Sequence, residues 1–344
     1  MSRPLVSIII PAYNCADFIS KTIQSVLSQS YQNFEILICN DCSTDNTLEI
    51  INNLTYADSR ITIFENENNI GKVLTVNRML KIAKGDFITI LDADDYFSSD
   101  KILKQVEFLE NNLEYGLCGC NYASVNISGK VFSVSNYPLT DRGIRDYIRD
   151  HDLKDFPFCC ATALIRKSAI NQVGGYRDFF IDCCIGEDID LILRIMEQFK
   201  VANIPLVGYY YRFHSTSLTR KVYFSIKDRH MHDIVSYMAK QRQNKGSDFL
   251  QNNDWGDYNE LIEHLGNPYR NDKGLLYRKV VIEYAINKDK RSAKMYYRRL
   301  LKISGLNLKT IKIWCIMQGL LAFNYDILLR LKKIIGISHL SSKA

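Results

Sequence analysis

Three aspartates stand close together in the segment LDADD, residues 91–95. They follow residues 87–91, an apolar run typical of a strand that is buried on both faces. Carboxylates this close together repel one another unless a cation lies between them. A turn that caps the next helix would need only one such acid. Asp92, Asp94 and Asp95 therefore favour a site for a divalent cation.

A second acidic pair, Glu187-Asp188, follows Gly186 and precedes a run with helical spacing of its apolar residues. Two acids at this position could simply stabilise the start of a helix. A carboxylate is also a group that can take a proton from an attacking hydroxyl. We expect Asp190 to face solvent and Arg194 to reach back and hold the acidic pair.

Alternating strands and helices are predicted to position these acids. Apolar runs at residues 6–10, 34–39, 61–64 and 87–91 alternate with helical patterns at 17–27, 48–54 and 73–83. This alternation indicates βαβ units and a mainly parallel sheet, in which ligands bind beyond the carboxyl ends of the strands. Polar or glycine residues follow every one of these strands, in the segments 11–14, 40–45, 68–71 and 92–95. Four strands would thus deliver Asn, Asp or Gly to one edge of the sheet.

Bulk composition narrows the class of protein. The chain has 344 residues, a net charge of +6 and 47% hydrophobic residues, which fits one large globular domain plus a smaller one. The ten cysteines are irregularly spaced, so we expect reduced thiols in a cytoplasmic protein. We expect no signal peptide, and no apolar run reaches the roughly 18 residues of a membrane-spanning helix. The protein is expected to be soluble or peripheral to a membrane.

Seven segments, taken in order, resemble the motifs of inverting family 2 glycosyltransferases with the GT-A fold. The resemblance covers about residues 5–220 and points to the type that assembles bacterial surface polysaccharides such as O-antigen or capsule. The GT-A fold is an α/β architecture, a mainly parallel sheet with helices on both faces. The segments are VSIIIPAYN (6–14), NDCSTDNT (40–47), NNIGKVLTVN (68–77), LDADD (91–95), ATALIRKSAINQVGGYRD (161–178), GEDIDLILRI (186–195) and YYRFHSTSLT (210–219).

The resemblance implies a nucleotide-sugar site with a bound Mn²⁺ or Mg²⁺. Asp94 would be the metal ligand, Asp92 would bind the ribose or share the metal, and Asp95 would hold the loop or touch the donor sugar. His214 would supply a further metal ligand or contact the diphosphate, and Asp41 would accept the N–H of the nucleobase. We expect Asp45 only to cap a helix. The nucleotide-sugar-binding residues would be Pro11, Tyr13, Asn14, Asn40, Asp41, Asn69, Gly71, Asn77, Asp92 and Asp95.

The resemblance also implies the reaction. Asp188 would be the base that deprotonates the acceptor hydroxyl, and Glu187 would orient it or bind the acceptor. In-line attack would convert an α-linked UDP-sugar into a β-glycoside. No Q-x-x-R-W segment of processive synthases is present, so we expect one hexose or N-acetylhexosamine to be added per acceptor. One departure from the family is the loop that begins Asn40, Asp41, Cys42, where two acids and a glycine are usual.

The C-terminal region, residues 221–344, has a different composition. Residues 241–276 are polar and predict a linker, and residues 311–336 predict an amphipathic helix. Residues 288–333 contain twelve Lys or Arg against two acids. The helix could bind an anionic membrane surface or pack on protein, and we favour the membrane. This would suit an acceptor saccharide linked to polyprenyl diphosphate at the inner face of the cell membrane. A homo-oligomer is left open.

Two other classes of function fit parts of the sequence. A phosphoryl-transfer or receiver-type domain could use Asp41 as a nucleophile, but it would give no role to Glu187 and Asp188. A nucleic-acid-binding protein could use the basic C-terminus. The aromatic residues of that region, however, lie on the apolar faces of helices, where they pack instead of stacking on bases. We therefore expect no nucleic acid among the partners.

Overall fold

The computed structural model describes residues 3–56, 58–151, 153–214, 217 and 220–322, except for the side chain of Lys154. The chain divides into two compact units, Met1–Phe213 and His214–Ala344, so the boundary lies close to the predicted residue 220. All ten cysteines are free thiols, as expected.

The first unit alternates strands and helices as predicted. Its elements are β1 (Val6–Ala12), α1 (Ile19–Leu27), β2 (Phe34–Asn40), α2 (Thr47–Thr55), β3 (Ile61–Glu65), α3 (Gly71–Ile82), β4 (Phe87–Ile90), β5 (Tyr96–Phe97), α4 (Lys101–Asn111), β6 (Tyr115–Val125), β7 (Val131–Val134), α5 (Asp141–Asp150), β8 (Leu164–Arg166), α6 (Lys167–Val173), α7 (Glu187–Met196) and β9 (Lys200–Arg212).

These strands form one sheet in the order β3-β2-β1-β4-β8-β6-β9-β5, with β7 paired to β6. The first four strands of this order are parallel, and β8 joins them antiparallel. The sheet is therefore mixed, and the predicted parallel arrangement applies to its first four strands and to the pair β6–β9. Strand β1 is buried almost along its whole length because it lies between β2 and β4.

The register of the parallel strands brings their carboxyl ends to one edge. Ala12 at the end of β1 is level with Asn40 at the end of β2, and Asn40 is level with Glu65 of β3. The polar segments that follow these strands therefore begin side by side, as the sequence predicted.

The second unit is helical. Its helices are α8 (Ile226–Arg229), α9 (Met231–Lys245), α10 (Phe249–Asn252), α11 (Trp255–Asn271), α12 (Leu275–Ile286), α13 (Lys290–Ser304) and α14 (Leu308–Ala322). The prediction of a linker at 241–276 was wrong, because the polar residues of this segment lie in helices or cap them. Asp248 forms a capping box with Gln251 at the start of α10, and Asp254 accepts a hydrogen bond from the backbone N–H of Gly256 in α11.

Helix α14 is the described part of the amphipathic helix predicted at 311–336, and residues 323–336 lie outside the described residues. Its residues Ile313, Met317 and Leu320 pack in a core with Val281 of α12 and Leu300 of α13. This apolar face is thus covered by protein, and only another face could meet lipid. Within the described ranges, no helix combines the length and apolarity needed to cross a membrane.

Candidate active site

The acids in the segment after β4 differ in their exposure to solvent. Asp92 and Asp94 are partly exposed, whereas Leu91, Ala93 and Asp95 between and after them are buried. The backbone N–H of Leu91 donates to the carbonyl of Ile9 at 2.9 Å, which ties the segment to β1 at the carboxyl edge. Two carboxylates therefore remain accessible at the predicted position.

Asp95 anchors this segment instead of facing a ligand. Its carboxylate accepts hydrogen bonds from the Tyr209 hydroxyl at 2.6 Å and from the backbone N–H of Arg212 at 2.7 Å. Burial, together with the charges of Asp94 and Asp92, raises the pKa of Asp95 well above its usual value. Of the two roles expected for Asp95, the structure favours holding the loop, here against β9.

Lys72 was not identified from the sequence. Its Nζ lies 2.5 Å from Oδ1 of Asp92, and both side chains are partly buried. Burial acts to lower the pKa of Lys72, but the charges of Asp92 and Glu187 outweigh it and hold the pKa well above its usual value. Lys72 thus stays charged, paired with Asp92 and in electrostatic interaction with Glu187. The sequence did contain a signal, since Lys72 is the only cation within or directly beside the four polar segments that follow the parallel strands.

Asp41 fixes the start of α3. Its carboxylate accepts hydrogen bonds from the side-chain amide of Asn66 at 2.8 Å and from the backbone N–H groups of Ile70 at 2.9 Å and Gly71 at 2.8 Å. Gly71 has φ of +82°, a conformation that favours glycine. Asp41 is therefore engaged by protein, and its contact with a nucleobase stays a prediction. The same contacts leave no free carboxylate for a receiver-type nucleophile.

The loops after β1 and β2 hold each other. Asn14, with φ of +47°, accepts a hydrogen bond from the backbone N–H of Thr44 at 2.8 Å and donates its own N–H to the Ser43 hydroxyl at 3.0 Å. Asn40 is buried and its side-chain oxygen lies 3.3 Å from the N–H of Ser43. Asp45 accepts from the backbone N–H groups of Ala16 and Thr47, which agrees with its expected structural role.

The remaining predicted donor-side residues differ in accessibility. Tyr13 and Asn69 are exposed, and Pro11 is half-buried at the end of β1. Asn77 does not reach the edge: its amide both donates to and accepts from the backbone of Tyr176, at 2.8 and 2.9 Å. The polar atoms of Asn77 thus hold the segment around Tyr176, and its contact with nucleotide-sugar stays a prediction.

The acidic pair Glu187-Asp188 begins α7. Gly186, with φ of +77°, turns the chain into the helix, and Glu187 follows it as a buried residue. Oε2 of Glu187 has no hydrogen-bond partner among the described residues. Burial and the neighbouring charge of Asp188 raise the pKa of Glu187 to about 7. An unpartnered buried carboxyl group suits contact with a bound ligand.

Asp188 is partly exposed, with Oδ1 accepting the backbone N–H of Ile189 at 2.8 Å. Burial and the nearby charge of Asp188 raise the pKa of the Cys160 thiol well above its usual value. The hydrogen bond to Ile189 leaves part of the Asp188 carboxylate accessible, and an accessible carboxylate can accept a proton from a bound hydroxyl.

Two expectations for α7 were wrong. Asp190 does not face solvent: it is fully buried between Arg177 and Arg194, and its Oδ2 accepts a hydrogen bond from Nε of each guanidinium at 2.9 Å. Arg194 does not hold the Glu187-Asp188 pair. It binds Asp190 and donates to backbone carbonyls at 173–175. A buried carboxylate needs such partners, and the i,i+4 spacing of Asp190 and Arg194 was a visible signal for this one.

The donor set fits a divalent cation held jointly with a diphosphate. Across the described part of the chain, no three potential ligand side chains lie close enough to hold a metal by themselves. Mg²⁺ is usually bound through one or two carboxylates plus phosphate oxygens and water, and Asp92 and Asp94 provide such carboxylates. His214 is buried at the start of the second unit, and its role as a ligand stays a prediction.

Comparison with known proteins identifies the class. The model of Glycosyl transferase family 2 matches residues 7–174. The chain is 36% identical over 228 residues to the UDP-Glc:alpha-D-GlcNAc-diphosphoundecaprenol beta-1,3-glucosyltransferase WfaP of Escherichia coli, covering 62% of this chain and 80% of WfaP. It is 32% identical to the E. coli enzyme WfgD, whose name gives the same activity, over 66% of this chain and 84% of WfgD. The chain therefore belongs to glycosyltransferase family 2.

Solved structures give the same fold. The chain is similar to S. aureus TarS in complex with UDP-GlcNAc, with a TM-score of 0.55 and 19% identity over 67% of this chain and 65% of that one. It is also similar to the mannosyltransferase PcManGT of Pyrobaculum calidifontis in complex with GDP-Man and Mn²⁺, with a TM-score of 0.52 and 18% identity over 100% and 89% of the two chains. The fold is that of the GT-A glycosyltransferases.

Proposed function

We propose that this glycosyltransferase moves a single hexose or N-acetylhexosamine from a UDP-sugar to a hydroxyl of a polyprenyl-diphosphate-linked saccharide, with inversion to a β-glycoside. The observation that carries the proposal is the pair of acidic groups on the first unit. Asp92 and Asp94 lie accessible at the sheet edge, Glu187 and Asp188 begin a separate helix, and Lys72 lies within electrostatic reach of both.

On the donor side, the chain's own residues bind and orient the diphosphate. A bound Mn²⁺ or Mg²⁺ would be held by Asp94 and Asp92, and it would neutralise the charge that develops on the leaving diphosphate. The exposed Tyr13 and Asn69 border the edge where the nucleoside would lie. Asp41 and Asp95 keep the surrounding loops in position through their hydrogen bonds.

On the acceptor side, Asp188 takes the proton of the attacking hydroxyl as that oxygen bonds to the anomeric carbon. The bond from this carbon to the diphosphate breaks on the opposite face, so the configuration inverts. Glu187 contacts the acceptor through its unpartnered Oε2. Asp190, held by its two arginines, fixes the first turn of α7 and with it the position of both acids.

The relatives support the choice of substrates. The names of WfaP and WfgD give UDP-Glc as donor and a diphosphoundecaprenol-linked GlcNAc as acceptor, and TarS was crystallised with UDP-GlcNAc. PcManGT, crystallised with GDP-Man and Mn²⁺, supports a divalent cation and keeps a guanine nucleotide as the second donor to test. A lipid-linked acceptor would place the reaction at the cytoplasmic face of the cell membrane.

The test is release of nucleoside diphosphate from a panel of UDP- and GDP-sugars, with Mn²⁺ or with chelator. A polyprenyl-diphosphate-linked N-acetylhexosamine serves as acceptor, and reactions without acceptor correct for hydrolysis. We expect acceptor-dependent release from one UDP-sugar that chelator abolishes. Release from a GDP-sugar alone would overturn the donor, and equal release with chelator would overturn the metal requirement.

A further inference from the structure

The second unit exposes apolar side chains where α13 turns into α14. Leu306 and Leu308 are 76% and 86% exposed, whereas Leu300 of α13 and Leu320 of α14 are buried. Ile303 at the end of α13 and Ile311 and Trp314 on α14 are each nearly half exposed. We define the α13–α14 surface as these five residues together with the exposed Lys302, Lys309 and Lys312.

This surface is displayed by an ordered turn. The side-chain oxygen of Asn307 accepts the backbone N–H of Thr310 at 3.1 Å, and the hydroxyl of Thr310 accepts the backbone N–H of Asn307 at 2.9 Å. Thr310 is fully buried and also donates to the carbonyl of Gly305 at 3.2 Å. The leucines on either side of Asn307 therefore project from a fixed backbone.

Helix α14 consequently carries two apolar faces. Ile313, Met317 and Leu320 fill the core with α12 and α13. Leu308, Ile311 and Cys315 lie on the opposite side of the helix at i, i+3 and i+7, and all three are exposed. A helix that is apolar on its outer face as well needs a second apolar environment to cover that face.

The charge around this face identifies its partner. Residues 290–322 contain eight Lys or Arg and no Asp or Glu. If a second copy of the chain covered this face, the eight cations of one copy would face the eight of the other and repel them. Residues 323–344 carry four Lys or Arg and one Asp, so they would also add positive charge. A surface of anionic lipid matches both properties, because its headgroups attract the cations and its acyl region receives the apolar side chains.

We propose that the α13–α14 surface binds the chain to an anionic lipid bilayer, with Leu306, Leu308, Ile311 and Trp314 in the interface and the lysines at the headgroups. The proposal rests on the proposed function in one respect: a lipid-linked acceptor lies in a membrane, which the enzyme must reach. It differs from the contact suggested by the sequence, since Ile313, Met317 and Leu320 in the described part of the predicted helix pack on protein.

The test is co-flotation of the full chain with vesicles of phosphatidylcholine alone or mixed with phosphatidylglycerol. We expect binding to the mixed vesicles that high salt weakens. The double variant Leu308→Ser/Ile311→Ser should lower the bound fraction by about tenfold, and Lys302→Glu/Lys312→Glu should lower it by a similar factor of about ten. Matched controls on the first unit are Leu113→Ser, at a leucine 77% exposed, and Lys81→Glu, at an exposed lysine; both should bind as the unaltered chain does.

Three results would overturn the proposal. The double serine variant could bind as tightly as the unaltered chain, or binding could be equal with and without phosphatidylglycerol. The chain could also fail to bind vesicles and form a dimer that the double serine variant loses, which would make the surface a self-association site. Transfer to a short-chain, water-soluble acceptor is measured in parallel. Normal transfer by a variant that no longer floats separates this proposal from that of the enzymatic function.

Discussion

Asp95 and Asp190 are the fully buried members of the two acidic clusters, and they are anchored by different chemistry. Asp95 is held by a tyrosine hydroxyl and a backbone N–H, both neutral donors. Asp190 lies between two guanidinium groups. The negative charges of Asp92 and Asp94 therefore act on Asp95, and together with burial they raise its pKa.

The difference matches the tasks proposed for the two clusters. A site that recruits a divalent cation gains from several carboxylates close together, although Lys72 offsets part of their charge at Asp92. A site that must hold a base at a fixed position gains from a rigid foundation, and the Asp190 ion pairs tie α7 to the turn at 173–175. The same residue type thus supports attraction in one cluster and positioning in the other.

The largest effect is expected at the base. Asp188→Asn should lower kcat by about 10²–10⁴-fold, because the amide cannot accept the proton of the acceptor hydroxyl. Binding of UDP with Mn²⁺, measured by calorimetry, should stay unchanged. Asp94→Ala is the contrasting variant and should lose metal-dependent UDP binding together with transfer. Wild-type turnover by Asp188→Asn would exclude this residue as the base.

The anchors should differ in their contribution to stability. Asp190→Ala leaves the buried guanidinium of Arg194 and the partly buried one of Arg177 without their carboxylate, and it should lower the free energy of unfolding by about 3–5 kcal/mol. Asp95→Asn keeps the shape of the side chain but replaces one of the two oxygens that accept hydrogen bonds from neutral donors. It should lower the free energy of unfolding by about 1–2 kcal/mol. Chemical denaturation of both variants measures the difference. Equal losses would show that the two clusters are anchored equivalently.

Glu187 should make stability depend on pH. Its pKa rises from 4.5 to about 7 on folding, so the folded chain binds a proton more tightly than the unfolded chain does. The stability associated with this carboxyl group is present below pH 4.5 and is lost as the pH rises through 7. Glu187→Gln should remove this loss. As the pH rises from 4.5 to 7, its free energy of unfolding should gain on the order of 3 kcal/mol relative to that of wild type. A pH-independent difference between the two proteins would contradict the assignment.

The smallest effect is expected at Lys72. Lys72→Met removes the cation that neutralises Asp92, so Mn²⁺ should bind the donor-free enzyme about three- to tenfold more tightly. Lys72→Arg keeps the charge and should bind Mn²⁺ as wild type does. Electron paramagnetic resonance of free Mn²⁺ measures both affinities directly. Weaker Mn²⁺ binding by Lys72→Met would show that Lys72 supports the metal site instead of competing with the ion.

Local patterns in the sequence predicted much of the first unit. Apolar runs of strand length alternate with helical spacing, and in a parallel sheet this alternation alone brings the strand ends to one edge. The positions of Asp92, Asp94, Glu187 and Asp188 followed from that geometry and from the family motifs. The polar composition of residues 241–276 led to the wrong prediction of a linker, because Asp248 and Asp254 are caps of separate helices.

Contacts between distant residues could not be predicted in this way. Asn77 and Tyr176 are 99 residues apart, and Lys72 and Asp92 are 20 apart. No periodicity in the sequence specifies which side chains meet across such separations. The packed face of α14 is a similar case, since Ile313 and Met317 could have met lipid as well as the helices that cover them.

The configuration of the product distinguishes a single displacement assisted by a base on α7 from a mechanism that retains configuration. Proton NMR of the isolated glycoside reports its anomeric configuration. With an α-linked UDP-sugar as donor, we expect a β-glycoside from wild type and no product above background from Asp188→Asn. An α-glycoside from the wild-type enzyme would show retention and would contradict direct attack by an acceptor that Asp188 deprotonates.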